Sequence, residues 1–154
     1  MLLINRIIKK LIKKKITVSI AESYTGGLIS SIFISIPGVS KVFNMGLITY
    51  SNKAKEKILN IDPITLKKYG AVSEEIAKSM AENLYKISRS KICISTTGIA
   101  GPGGGSKKKP VGLIFICIKY KNKIILIKKN LIGSRKNIQN KNIKIIFENL
   151  NHLI

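Results

Sequence analysis

Tryptophan is absent, histidine occurs once, cysteine twice, and seven acidic residues face 28 basic ones. The lone histidine, His152, stands two residues from the C-terminus, which argues against a Ser-His triad. Cys93 and Cys117 each sit inside an apolar run with neither metal-ligand spacing nor a redox pair. Buried reduced thiols are expected there, and no metal site. No apolar run is long enough to span a bilayer; the longest that matters is Leu113 to Ile118. The N-terminus interleaves Lys with Ile and Leu, where a secretory signal would place its basic residues ahead of one apolar block. The expected compartment is therefore the cytosol, without membrane association. Aromatic residues make up only 6%, and just three of the basic residues are arginine. Proteins that read nucleic-acid sequence lean on arginine and on aromatic stacking. The lysines are spread through every segment beside an excess of Ile and Asn, a trio that A- and T-rich codons encode. The net charge of +21 is thus read as compositional bias with nonspecific electrostatics, not as a specific nucleic-acid surface.

What is present suits one domain spanning residues 1–154, large enough for a single sizeable core. Ile4, Ile7, Ile8, Leu11 and Ile12 predict an amphipathic first helix. A β-branched run over 16–20 predicts a buried strand, and Leu28, Ile29, Ile32, Phe33 and Ile36 a helix over 26–36 that stops at Pro37-Gly38. Residues 39–44 suggest a short helical turn and 45–50 a second strand. Ser51-Asn52 would cap a helix through Leu59, with another turn of helix over 64–69. Ser73 caps a long helix whose inner face carries Ile76, Met80, Leu84 and Ile87. A third strand over 91–97 opens into a loop with five glycines and two prolines. A hairpin of 111–120 with 123–131 turns at Lys121-Asn122. Gly133-Ser134 starts the last helix, with Ile143, Ile146, Phe147 and Leu150 inward. Strands alternating with helices indicate an α/β fold on a mixed, mostly parallel sheet. In such sheets ligands bind at the carboxyl ends of the strands. The turn after Ile20, the segment after Tyr50 and the loop after Thr97 all leave such ends.

The turn Glu22-Ser-Tyr-Thr-Gly-Gly27 puts a carboxylate, hydroxyls and backbone N–H groups at a helix start. Thr25 is a plausible N-cap. Glu22 can cap or orient the turn, or hold a ribose hydroxyl. The glycine-rich loop from Gly98 lacks dinucleotide or P-loop spacing, leaving phosphate binding and a plain surface loop both open.

Three motifs stand in order: Ala21-Glu-Ser-Tyr-Thr-Gly-Gly27, Thr49-Tyr-Ser-Asn-Lys-Ala-Lys55, and Thr97-Gly-Ile-Ala-Gly-Pro-Gly-Gly-Gly105 with Lys109-Pro-Val-Gly112. Tyr69-Gly-Ala-Val-Ser73 lies between the last two. Together they resemble the CinA C-terminal domain family, whose stand-alone members include nicotinamide-nucleotide amidohydrolases. The resemblance implies a three-layer α/β/α sandwich, a homo-oligomer (a dimer), and no cofactor. The implied reaction is hydrolysis of nicotinamide mononucleotide to nicotinate mononucleotide and ammonia. It places the catalytic serine on Ser23, the tyrosine on Tyr50 and the lysine on Lys55. Substrate binding falls to Thr25, Gly26, Thr97, Gly98, Gly101 and Arg135. Two positions depart from the family pattern. The residue after the serine, commonly Cys, is Tyr24, so a thiol cannot act there. A second arginine of the last helix is missing near Gln139, which bears on phosphate affinity. A nucleotide- or protein-binding relative without turnover is the alternative.

Amide hydrolysis needs a nucleophile, a base and oxyanion donors. With the lone histidine near the C-terminus, a Ser-Lys arrangement is left. A helix start, the neighbours Lys53 and Lys57, and burial under substrate would each lower the pKa of Lys55. Tyr50 would relay the proton or orient Lys55, and the N–H groups of Gly26 and Gly27 are candidate oxyanion donors.

Overall fold

The computed structural model describes residues 2–154; Met1, the first residue of the expected domain range, lies outside them. The chain is an α/β fold, with helices packed on a five-stranded mixed sheet. Helix α1 (Leu2–Lys14) seats Ile7, Ile8 and Leu11 in the core. It ends where Lys15 turns left-handed and the Ile16 amide bonds back to the Leu11 carbonyl. That closure uses the first residue of the expected strand, so β1 is Val18–Glu22, two residues later than the β-branched run suggests. Helix α2 (Leu28–Ile34) and a single 3-10 turn at Val39–Lys41 follow. Strand β2 is Phe43–Ile48, beginning and ending two residues before the expected span, which leaves Thr49 and Tyr50 in the connection.

Helices α3 (Asn52–Leu59), α4 (Pro63–Tyr69) and α5 (Glu74–Ser88) are each capped by a side chain, from Ser51, Asp62 and Ser73. These hydroxyl and carboxylate acceptors take up the first N–H groups that a helix leaves without partners. On α5 the buried stripe is Ile76, Ala77, Met80, Ala81 and Leu84. Ile87, expected inward, is 42% exposed and falls outside that stripe. Strand β3 (Ile92–Gly98) leads through the glycine loop to the hairpin of β4 (Leu113–Tyr120) and β5 (Lys123–Asn130), and α6 (Arg135–Leu153) ends the chain.

The strand order is β2-β1-β3-β4-β5. Pairs β2-β1 and β1-β3 are parallel; β3-β4 and β4-β5 are antiparallel. The sheet is therefore only half parallel, since the hairpin adds as many antiparallel pairs as the crossovers add parallel ones. Alternate strand residues enter different clusters. Val18, Ile20, Ile92, Ile94, Ile114 and Ile116 join α1, α2 and α6. Ala21 and Cys93 join α4 and α5, and Phe115 and Cys117 pack with Ala77 and Ala81 of α5. This is the period-two consequence of the pleat. Both cysteines are buried and unpaired, and burial raises the pKa of each thiol.

Chain order reverses around β1: β2 lies on one side of it and β3 on the other. The carboxyl ends of all three strands share one edge, and the crevice there is where a ligand meets such a sheet. Strands β2 and β5 are the two outer edges, and Lys123, Lys128 and Lys129 of β5 are exposed.

The return from the glycine loop into β4 depends on Gly112. Its φ is +94°, and a Cβ there would stand 1.8 Å from the Leu131 carbonyl oxygen. Gly112→Ala is expected to destabilise the fold by at least the order of 1–3 kcal/mol typical of a strained non-glycine backbone. Urea unfolding followed by circular dichroism checks this, and an unchanged midpoint would contradict it.

Candidate active site

The turn after β1 is held from both sides of the strand. The Ser23 amide donates to the Thr96 carbonyl at 3.2 Å and the Thr49 amide to the Glu22 carbonyl at 2.8 Å. These two bonds continue the parallel ladders by one residue, bringing the three strand ends together around Ser23. The Glu22 side chain is wholly buried. Its carboxylate accepts from the amides of Gly27 (3.1 Å), Ile29 (3.2 Å) and Ser30 (2.8 Å), and from Ser30 Oγ at 2.7 Å. Of the roles left open for Glu22, capping the helix is the one the geometry fills. The expected cap, Thr25, does not cap: the N-cap position is Gly27, with φ +93° and no side-chain bond. A carboxylate reaching forward from the strand takes the place of a local hydroxyl, since it satisfies three amides where a threonine satisfies one.

The Gly26 amide donates to the Ser23 carbonyl at 3.1 Å and the Gly27 amide to Glu22. Neither is available as an oxyanion donor, so that expectation is corrected: both N–H groups hold the turn itself.

Lys55 lies in the second half of the first turn of α3, and its own amide donates to the Ser51 carbonyl. Helical side chains lean toward the N-terminus, so its stem runs back over the residues before the helix. The whole residue is buried. Lys55 Nζ donates to Ser23 Oγ at 3.1 Å, to the Thr49 carbonyl at 2.7 Å and to the Tyr50 carbonyl at 3.4 Å. Burial pulls its pKa from the ordinary 10.5 down to about 8. The direction matches expectation, and of the expected causes it is burial that acts, here by the protein itself; Lys53 and Lys57 point into solvent, where water screens them.

A cavity of about 290 Å³ opens above this pair. It is lined by Ser23, Tyr50, Lys55, Thr97, Gly98, Gly101 and Arg135 among others. Seven of the nine residues expected from the sequence thus share one pocket; Thr25 and Gly26 lie outside its lining. Tyr50 is 65% exposed, and it is its carbonyl, not its hydroxyl, that meets Lys55. Thr97 Oγ1 donates to the Ala71 carbonyl at 2.7 Å, tying β3 to the segment before α5. At Gly98 a Cβ would press within 2.9 Å of the Tyr24 ring, so the glycine lets the buried tyrosine pack beneath the pocket. Arg135 Nη1 donates to the Gly101 carbonyl at 3.0 Å, which fixes the glycine loop against the start of α6.

Sequence reasoning missed three contributors. Ala71 and Val72 form part of the wall; their only signal was the string Tyr69 to Ser73. The Thr49 carbonyl is a Lys55 acceptor, and a backbone oxygen leaves no mark on a sequence. Among the described residues, no group of three or more His, Cys, Asp or Glu is placed to hold a metal ion. Likewise no helix is long and apolar enough to cross a membrane.

The CinA C-terminal domain model matches residues 2–154. A competence-damage inducible protein of Clostridioides difficile is 50% identical over 132 residues, covering 85% of this chain and 31% of that protein. A CinA-like protein of Fusobacterium nucleatum is 50% identical over 127 residues, 82% of this chain and 31% of its own length. The chain thus spans about a third of the relatives it matches. Among solved structures, the competence/damage inducible protein CihA from Agrobacterium tumefaciens superposes with TM-score 0.91 at 36% identity, over 98% of this chain and 95% of that one. A CinA superfamily protein from Escherichia coli gives 0.93 at 26% identity, over 99% and 88%.

Because Lys55 is charged in the unfolded chain and loses its proton near pH 8 when folded, the unfolded state binds more protons between about pH 8 and the ordinary 10.5. Stability must then rise with pH across that window, the penalty being full below it. Lys55→Met should remove this rise. Unfolding free energies of both proteins across the window check it; parallel curves would refute the assigned cause.

Proposed function

The chain belongs to the CinA C-terminal domain family, and on that premise we propose that it hydrolyses the carboxamide of nicotinamide mononucleotide to nicotinate mononucleotide and ammonia. The family likeness supplies the substrate, and the observation that carries the chemistry is the set of acceptors around Lys55. A neutral amine has two hydrogens and one lone pair. The carbonyls of Thr49 and Tyr50 accept the two hydrogens, which turns the lone pair toward the Ser23 hydroxyl 3.1 Å away.

Ser23 Oγ attacks the carboxamide carbon while Lys55 Nζ takes its proton. The tetrahedral oxyanion collapses with cleavage of the C–N bond, and the Lys55 ammonium returns the proton to the departing ammonia. Water, deprotonated by the same amine, then cleaves the acyl ester and releases the carboxylate. An amine with a pKa of about 8 is a far better base at neutral pH than one at the usual value. Tyr50, exposed at the mouth, offers its ring to a flat pyridine. Arg135 has N–H groups beyond the one that holds Gly101, at a helix start suited to a phosphate. Thr97, Gly98 and Gly101 shape the wall between them. The reading keeps a three-layer single domain acting as a homo-oligomer in the cytosol, with no metal, no nucleic acid and no membrane.

Purified protein incubated with nicotinamide mononucleotide should release ammonia and nicotinate mononucleotide in equal amounts. Ser23→Ala should lower turnover more than roughly 10³-fold with nucleotide affinity retained. Nucleotide binding without ammonia release by the natural chain would instead identify a binding module.

Turnover should rise with pH through one ionisation near 8, because the base must be neutral. Lys55→Arg keeps the charge but cannot deprotonate, and should lose roughly 10²–10⁴-fold in turnover. Near-normal turnover with a raised KM would make Lys55 a phosphate anchor.

A further inference from the structure

Three polar side chains on one face of α6, at 135, 139 and 142, reach three different parts of the site. Arg135 grips the glycine loop at Gly101, and Asn142 Oδ1 accepts from Thr96 Oγ1 of β3 at 3.3 Å. Between them Gln139 Nε2 donates to the Tyr24 carbonyl at 2.8 Å. That carbonyl belongs to the residue directly after Ser23.

The turn is closed by the Gly26 amide on the Ser23 carbonyl, so Tyr24–Thr25 is its central peptide. Both residues have negative φ, the left-handed positions beginning at Gly26. In consecutive right-handed residues the N–H groups point one way and the carbonyls the other, and in a trans peptide N–H and C=O are opposed. Neither the Tyr24 nor the Thr25 amide donates to another group among the described residues. With the amides of Gly26 and Gly27 engaged, these two are the free donors next to the nucleophile. The amide following a nucleophile is a recurrent oxyanion donor.

We propose that Gln139 is a positioning residue: its bond to the Tyr24 carbonyl holds the central peptide of the turn so that the Thr25 N–H, with that of Tyr24, faces the oxyanion formed on attack by Ser23. This rests on Ser23 being the nucleophile, and does not require the substrate to be nicotinamide mononucleotide.

The test uses a fluorophosphonate probe on the whole protein. Ser23 Oγ forms the O–P bond, the P–F bond breaks, the serine proton leaves with fluoride as HF, and the P=O oxygen occupies the oxyanion site. Peptide mapping of the natural protein should find the label on Ser23. Gln139→Met, which keeps the length but cannot donate, should slow labelling by roughly 10–10²-fold. With the nucleotide it should lower kcat while KM changes little. Gln139→Lys, a donor again, should recover most of the rate. Gln139→Glu turns an acceptor on the carbonyl when ionised and a donor when protonated. Its rate relative to the natural protein should therefore climb as pH falls through the carboxyl titration. A merely structural Gln139 predicts a ratio independent of pH and no recovery by lysine, and either result would overturn the inference. Natural-like labelling by Gln139→Met would overturn it alone, leaving Ser23 in place. Absence of label on Ser23 in the natural protein would remove the nucleophile and the inference together.

Discussion

A carboxylate buried at the end of a strand has to be answered by donors, and Glu22 is answered by four, all from the helix that follows. Its charge and the positive end of α2 satisfy each other where water cannot reach, which is the strong form of a helix-terminus interaction. Everything nearby inherits its placement. Because the strand's last side chain reaches forward to the helix, the five residues between have little freedom. Ser23 is therefore displayed at the strand edge in a tight turn whose own amides are partly committed. The buried carboxylate also explains the glycines at 26 and 27: the backbone turns left-handed at both, closing the turn through the Gly26 amide and aiming the Gly27 amide back at Glu22.

Lys55 presents the opposite case. It is as buried as Glu22, yet its partners are a hydroxyl and two carbonyls, with no carboxylate within ion-pair distance among the described residues. Neutral acceptors hold an amine in place without stabilising its charge as an anion would. The two buried ionisable groups beside Ser23 thus do separate work, one ordering the backbone and the other remaining chemically available. The local sequence Thr49 to Lys55 makes this possible, since a capped helix start turns the lysine stem back over the peptide just before it.

Much of this was legible in the residues. Periodicity located every helix and strand, with errors of about two residues at boundaries set by neighbouring structure: the closure of α1 delays β1, and β2 pairs with it two residues earlier than its own run suggests. The hydroxyl caps at Ser51, Ser73 and Ser134 were readable because each acts within three residues. Thr25 misled for the same reason, as a local cap yielded to a carboxylate eight residues from its farthest partner. The convergence of Ser23, Lys55 and Thr97 followed from parallel strands sharing an edge, while Arg135, at the start of α6, was indicated only by the family resemblance. What stayed hidden were backbone groups and contacts across the chain, among them the Thr49 carbonyl and the bond between Gln139 and Tyr24, 115 positions apart. Gln139 showed in the sequence only as an arginine not present.

The exposed lysines of β5 carry a consequence for solubility. An outer strand reading Ile-Ile-Leu-Ile is a ready template for another chain, because its free N–H and C=O groups and apolar side chains invite a sixth strand. Here Lys123 stands before that run and Lys128-Lys129 after it, with no acidic residue on the strand. Two such edges laid together would crowd at least six ammonium groups into one short ribbon with nothing to neutralise them, and like charges at that spacing repel. A composition without an evident polyanionic partner therefore still has a use: it discourages growth of the sheet through its β5 edge.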